Sequence, residues 1–145
     1  VARETPPHAV TVGMDTVSTF WRNKFEKDAA KNWDVFYKRH GARFFKDRHW
    51  LSSEFSLLGG GEGEEMVLVE AGCGAGNTLF PLVLAQPRLR VYCCDYAPRA
   101  VELVQERAAA EDVADRVTAF VCDLTQAAMC PPVPVGGADC VTLIF

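Results

Sequence analysis

The stretch EAGCGAGN, residues 70–77, lies between two apolar runs, MVLV before it and LFPLVLA after it. Glycines at 72, 74 and 76 strip every second side chain from a sharp turn. An apolar strand that passes through glycines into an apolar helix is the opening unit of a parallel sheet. The rest of the chain repeats the alternation. Met66 to Glu70 reads as strand one and Asn77 to Ala85 as a helix. Arg90 to Asp95 is strand two, followed by a helix from Pro98 to about Glu111, since proline suits a first helical turn. Val117 to Asp123 is strand three, and after a Pro- and Gly-rich loop Ala138 to Phe145 is strand four. Strands this apolar predict an α/β fold, a parallel sheet with helices on both faces.

The upstream part follows different rules. Residues 1–17, with Pro6 and Pro7, show no period and read as a mobile tail. Residues 18–58 form an N-terminal helical extension, in which Ser18 caps a helix that Gly41 ends near His40. Trp21, Phe25, Ala29, Trp33, Phe36 and Tyr37 fall at steps of three and four and share one face of that helix. Ser52 or Ser53 opens a short helical turn to Leu58. Residues 59–65, GGGEGEE, read as an acidic linker to the sheet domain of residues 66–145.

Charge separates the same two parts. The net charge is −4, yet the segment from Trp21 to Trp50 is strongly basic. A basic segment on an acidic domain suits a polyanionic partner, while the plainer reading is a solvated helix with ordinary ion pairs. The six cysteines contain no CxxC pair, and five of them lie in or beside strand-like runs, where thiols act as small hydrophobes. No metal is expected. Neither a signal peptide nor an apolar run long enough for a membrane span is visible, so a reducing intracellular compartment is expected.

In parallel sheets ligands bind at the carboxyl ends of the strands. The polar residues there are Glu70 with Gly72, Gly74 and Gly76, then Asp95, then Asp123. Glycines let a ligand approach the backbone, and the next helix presents free N–H groups. Asp95 is placed to accept both hydroxyls of a ribose, and Asp123 an exocyclic amine such as adenine N6. The pair describes an adenosine lying across the strand ends. The spacing G-x-G-x-G departs from the dinucleotide fingerprint G-x-G-x-x-G. A carboxylate at Glu70 is unwelcome beside a pyrophosphate but suits an ammonium and a sulfonium. The reading is therefore S-adenosyl-L-methionine rather than NAD.

EAGCGAGNTLFPL, YCCDYAPRAVE and VCDLT resemble the first three motifs of class I S-adenosylmethionine-dependent methyltransferases, whose fold is Rossmann-like. The upstream run KNWDVFYKRHGARFFKDRHWL is more specific. Together with those motifs it resembles the tRNA N3-methylcytidine methyltransferases, methyltransferase-like proteins acting at position 32 of the anticodon loop. The resemblance covers roughly residues 20–145. It implies that Trp33 and Tyr37 help enclose the cofactor, and that Gly72, Asp95, Asp123, Leu124 and Ile144 line its pocket. It also implies that the basic segment from Lys38 to Arg48 faces tRNA. Members acting on serine tRNA depend on, or are strongly stimulated by, seryl-tRNA synthetase, and others use different helpers. Serine tRNA and that synthetase, or another helper protein, are accordingly the expected partners.

Cytosine N3 already carries a lone pair, so methyl transfer there needs no general base, and alignment and exclusion of water become the main tasks. N3 is also the pairing edge, so the base must be unpaired. Such bases are held by aromatic or Arg planes with cations on the phosphates. The mixture Lys38, Arg39, Arg43, Phe45, Lys46, Arg48 and His49 suits that task, and either Phe44 or Phe45 is expected to be exposed. The plainer readings are that Trp33, Phe36 and Tyr37 pack, that His49 is structural, and that Asp47 pairs with Arg43 or Arg48.

The chain starts at Val1 and stops at ADCVTLIF, which reads as a strand cut at its end. A class I methyltransferase truncated after about four strands is expected, inactive or weak in isolation. The competing readings are a non-catalytic binding or scaffold module, or a methyltransferase acting on a small molecule or protein. A cytoplasmic protein, with or without a nuclear pool, is expected. The missing native start leaves organelle targeting open.

Overall fold

The computed structural model describes residues 18–58, 65–125, 132–133 and 135–144. The expected tail of residues 1–17 and nearly all of the linker lie outside the described residues. Helix α1 is Thr19–His40, followed by a 3-10 turn at Gly41–Arg43, helix α2 at Leu51–Glu54 and a second 3-10 turn at Ser56–Leu58. The sheet domain then runs β1 (Met66–Ala71), α3 (Leu79–Ala85), β2 (Leu89–Asp95), α4 (Pro98–Ala110), β3 (Val117–Val121) and β4 (Cys140–Leu143).

All pairings are parallel and the strand order is β3-β2-β1-β4. The chain steps outward from β1 to β3 and then returns to the other side of β1. That reversal between β1 and β4 opens a crevice at the carboxyl ends of the strands, where Glu70 stands level with Cys93 and Thr142. Alternation puts Leu68, Val91, Cys93 and Val117 on one face. These residues join Leu79, Phe80, Leu82 and Val83 of α3 and Val104 and Ala108 of α4 in one buried cluster. Leu51 and Leu58 extend the same core, so the short upstream turns are anchored to the sheet domain. The side chain of Gln86 hydrogen-bonds the Leu58 carbonyl at that junction.

Several boundaries shift for identifiable reasons. Helix α3 starts at Leu79 rather than Asn77. In a longer helix the Asn77 carbonyl would accept from residue 81, but Pro81 has no N–H. The Asn77 carbonyl accepts instead from Arg48 N–H at 2.8 Å, across to the upstream segment. Helix α2 starts at Leu51, without a serine cap; the hydroxyls of Ser52 and Ser53 donate back to the His49 and Trp50 carbonyls. Strand β3 ends at Val121, paired with Asp95, which leaves Asp123 in the following loop.

Helix α1 has the expected extent, with Ser18 at its N-cap position and Gly41, at φ 59°, at its C-cap. Its aromatic stripe is less buried than a packing face would be. Tyr37 is its one buried residue, whereas Trp21, Phe25 and Trp33 are exposed. What docks α1 is Asp34. Ala97, at the N-cap position of α4, offers no side-chain acceptor, and the Asp34 carboxylate accepts the Arg99 N–H at 2.9 Å in its place.

Candidate functional site

A cavity of about 770 Å³ opens at the carboxyl ends of the strands. Gly72, Gly74 and Glu70 line it from the end of β1, Asp95 from β2, Asp123 and Leu124 from the loop after β3, and Ile144 from beyond β4. Trp33 and Tyr37 reach it from α1, their rings stacked with centroids 6.2 Å apart. Nine of the ten residues expected to meet the cofactor are thus brought together.

Gly76 is the exception. It is absent from the cavity lining, and a Cβ there would come within 2.5 Å of the Phe80 ring. Its lack of a side chain serves the packing of α3. Gly74 has a related reason, since a Cβ on it would meet the Tyr37 hydroxyl at 2.5 Å. Gly72, Gly74 and Gly76 all adopt positive φ, at 69°, 53° and 83°, where a side chain is strained. Two of the three glycines therefore make room for the protein's own rings, and Gly72 stands at the cavity wall.

The electrostatics of the site centre on Glu70. Only 2 % of its surface is exposed, and its Oε2 has no hydrogen-bond partner among the described residues. Burial pushes its carboxyl up to about 8, with a further push from Asp95; a hydrogen bond with Thr78 and the charge of Arg48 act in the opposite direction. The Tyr37 hydroxyl is pushed up to about 12, chiefly by burial. Cys73 is raised well above the ordinary thiol range by its hydrogen bond with Cys93 and by burial. Asp95 Oδ2 accepts the Gly74 N–H at 2.8 Å and its Oδ1 accepts the Ala97 N–H at 2.9 Å. Asp123 Oδ1 accepts both the N–H and the hydroxyl of Thr125, a turn that fixes the loop after β3.

The basic segment divides. Lys38, Arg39, Arg43, Lys46 and His49 are exposed and stand outside the cavity lining. Lys38 is already paired with Asp34 at 2.6 Å. Phe45 and Arg48, expected to meet RNA, line the cavity. The cause is a set of bonds that no local pattern reveals. Asn77 Nδ2 donates to the Phe45 carbonyl at 3.1 Å and to Asp47 Oδ1 at 3.0 Å. Asp47 pairs with Arg107 of α4 at 2.8 Å, not with Arg43 or Arg48, and this holds its carboxyl below the usual range. The segment is thereby strapped across the glycine turn. Phe44 and Phe45 are both exposed, packed edge-on with centroids 4.8 Å apart and next to Phe36.

Among the described residues no group of three or more His, Cys, Asp or Glu side chains is placed to hold a metal ion. The arrangement suits a ligand with a ribose-like diol, a flat amine-bearing ring and a cationic end.

The family model described as "Methyltransferase domain" matches residues 69–145. The chain is 48% identical over 132 residues to tRNA N(3)-cytidine methyltransferase METTL6 of Mus musculus, an alignment spanning 89% of this chain and 46% of that protein. It is 40% identical over 134 residues to tRNA N(3)-methylcytidine methyltransferase trm141 of Schizosaccharomyces pombe, spanning 92% of this chain and 53% of that one. The chain therefore spans about half the length of the curated relatives it matches. In fold it is similar to geranyl diphosphate C-methyltransferase from Streptomyces coelicolor A3(2), with a TM-score of 0.57 and 18% identity over 82% of this chain and 54% of that chain. The matched residues take in the glycine turn, Asp95 and Asp123, and the chain belongs to the methyltransferase-domain family.

Proposed function

We propose that the chain binds S-adenosyl-L-methionine in the cavity at the strand ends, and that its protein methylates N3 of a cytidine at position 32 of a tRNA anticodon loop. The observation that carries the cofactor is Glu70, a buried carboxyl with an unpartnered oxygen on the wall of a cavity that also holds Asp95. A buried polar atom without a partner is costly, and an ammonium would satisfy it. The relatives' names support the substrate.

When bound, S-adenosyl-L-methionine supplies an electrophilic methyl carbon. Asp95 would accept the ribose hydroxyls while keeping its bonds to Gly74 and Ala97, since a carboxylate accepts about four hydrogen bonds. Asp123 and Leu124 would meet the adenine, with Ile144 on the wall toward β4. The stacked rings of Trp33 and Tyr37 would cover the ligand from α1 and exclude water. No residue is needed to remove a proton from N3. The work of the protein is orientation, which can supply on the order of 7 kcal/mol.

The exposed Arg43, Lys46 and His49, with Phe44 and Trp50 among them, suit an unpaired loop of RNA. We propose serine tRNA as the substrate, and seryl-tRNA synthetase or another helper protein as the partner. The test is transfer of labelled methyl to unmodified serine tRNA with the synthetase present. Label recovered as 3-methylcytidine in the C32 transcript, and absent from a C32U transcript, is expected. Equal labelling of both transcripts would contradict the assignment.

A further inference from the structure

Arg107 lies on α4, outside both the cavity lining and the basic segment, yet it holds that segment in place. Its Nη1 and Nη2 donate to Asp47 Oδ1 and Oδ2 at 3.1 and 2.8 Å. Only 24% and 26% of the two side chains are exposed, so water screens this two-pronged ion pair weakly. The guanidinium carbon sits 4.2 Å from the centroid of the Phe80 ring, which is fully buried in the core. Glu111, the other carboxylate in reach, stays 3.8 Å from Nε. The pair is therefore anchored on the packed part of the sheet domain. Asp47 Oδ1 also accepts from the buried Asn77, which in turn binds the Phe45 carbonyl and the Arg48 N–H. These bonds decide which way the segment presents its residues. Phe45 and Arg48 line the cavity, whereas Lys46 and His49 are exposed outside it.

We propose that Arg107 is a positioning residue for both ligands: through Asp47 it sets the placement of residues 45–49, and with it the cavity wall and the RNA-facing cations together. The proposal rests on the S-adenosyl-L-methionine and tRNA readings and deepens them. A guanidinium fork on a carboxylate fixes direction as well as distance, which a single point charge does not. Arg107 touches neither ligand. Its loss frees Asp47, and the two surfaces carried by one short segment shift at once.

The experiment is titration of the wild-type chain, Arg107→Met, Arg107→Lys, Asp47→Asn and the double variant Asp47→Asn/Arg107→Met. The ligands are S-adenosylhomocysteine and, separately, an unmodified serine tRNA transcript, and urea unfolding shows that each variant is folded. Arg107→Met keeps the aliphatic stem over Phe80 and removes the fork. Affinity for each ligand is expected to fall roughly tenfold in it, the value of one displaced charged contact, with Arg107→Lys intermediate. Asp47→Asn should give a similar loss, and the double variant no greater loss than either single one, because both act through one bond. Where Arg107→Met fails to fold, Arg107→Lys carries the same test. A merely stabilising pair would lower the urea midpoint and leave the affinities of the folded chain unchanged, which overturns the proposal. Loss for one ligand alone, or additive losses in the double variant, overturns it as well. Failure of the wild-type chain to bind S-adenosylhomocysteine or the transcript overturns that ligand's reading and this inference with it.

Discussion

The backbone N–H of Gly74 donates to Asp95 Oδ2 at 2.8 Å, so the turn after β1 is tied to the end of β2 by a single carboxylate. The other oxygen of that carboxylate accepts the Ala97 N–H at the entry to α4. Asp95 therefore organises the cavity as well as facing it. In the proposed complex its remaining lone pairs meet the ribose, and ligand and loop compete for nothing.

Replacing Asp95 with Ala removes both roles and should weaken S-adenosylhomocysteine binding by more than the roughly tenfold expected for one lost contact to a charged group. Asp95→Asn keeps an acceptor and should fall between. Calorimetry on the three proteins checks the order, and equal affinities would remove Asp95 from the site.

Gly76→Ala drives a Cβ against the Phe80 ring from a positive φ. Overpacking and backbone strain together should cost about 1–3 kcal/mol of stability, read from urea unfolding. Adding Phe80→Leu to Gly76→Ala should recover part of that loss. No recovery would mean that the strain lies in the backbone alone.

Glu70 should make stability fall as pH rises. Its carboxyl is raised from 4.5 to about 8, so between those values the folded chain holds a proton that the unfolded chain has released. Below 4.5 both states hold the proton and the pH-dependent penalty is absent; above about 8 it is fully present. Arg48 and Thr78 act against the shift while Asp95 adds to it, and Cys73 stays neutral beside it. Glu70→Gln should therefore flatten the decline, by roughly 2 kcal/mol or more between pH 5 and 8. Urea unfolding across that range is the check, and identical slopes in the two proteins would contradict it. Ammonium binding favours the ionised form, so ligand binding near pH 7 should release a proton.

Arg43 and Lys46 stand exposed outside the cavity. Changing both to Ala should weaken tRNA binding and lower the salt slope by about one unit per lost phosphate contact, with S-adenosylhomocysteine affinity unchanged. An unchanged slope would place the RNA elsewhere.

The parallel sheet, its first three strands and the glycine turn were legible in the sequence because apolar runs and glycines are local signals. The residues at the strand ends followed from topology, and Trp33 and Tyr37 from family likeness. Other features depended on distant partners. That Gly74 and Gly76 make room for Tyr37 and Phe80 is invisible without the fold. The route of the segment from Phe44 to Trp50 is set by Asn77 and by Asp47 on Arg107, and no period or spacing encodes it. Only that route places Arg48 in the cavity. The period of α1 predicts a helix correctly, yet it says nothing of whether the aromatic face will be covered, and Trp21 and Phe25 are not.

The cavity at the strand ends is the proposed binding site of an S-adenosyl compound. Calorimetric titration of the chain with S-adenosylhomocysteine, with NAD as the control, tests it most directly. One site for S-adenosylhomocysteine and none for NAD is the expected result. Binding of NAD, or of neither ligand by a chain shown to be folded, would contradict it.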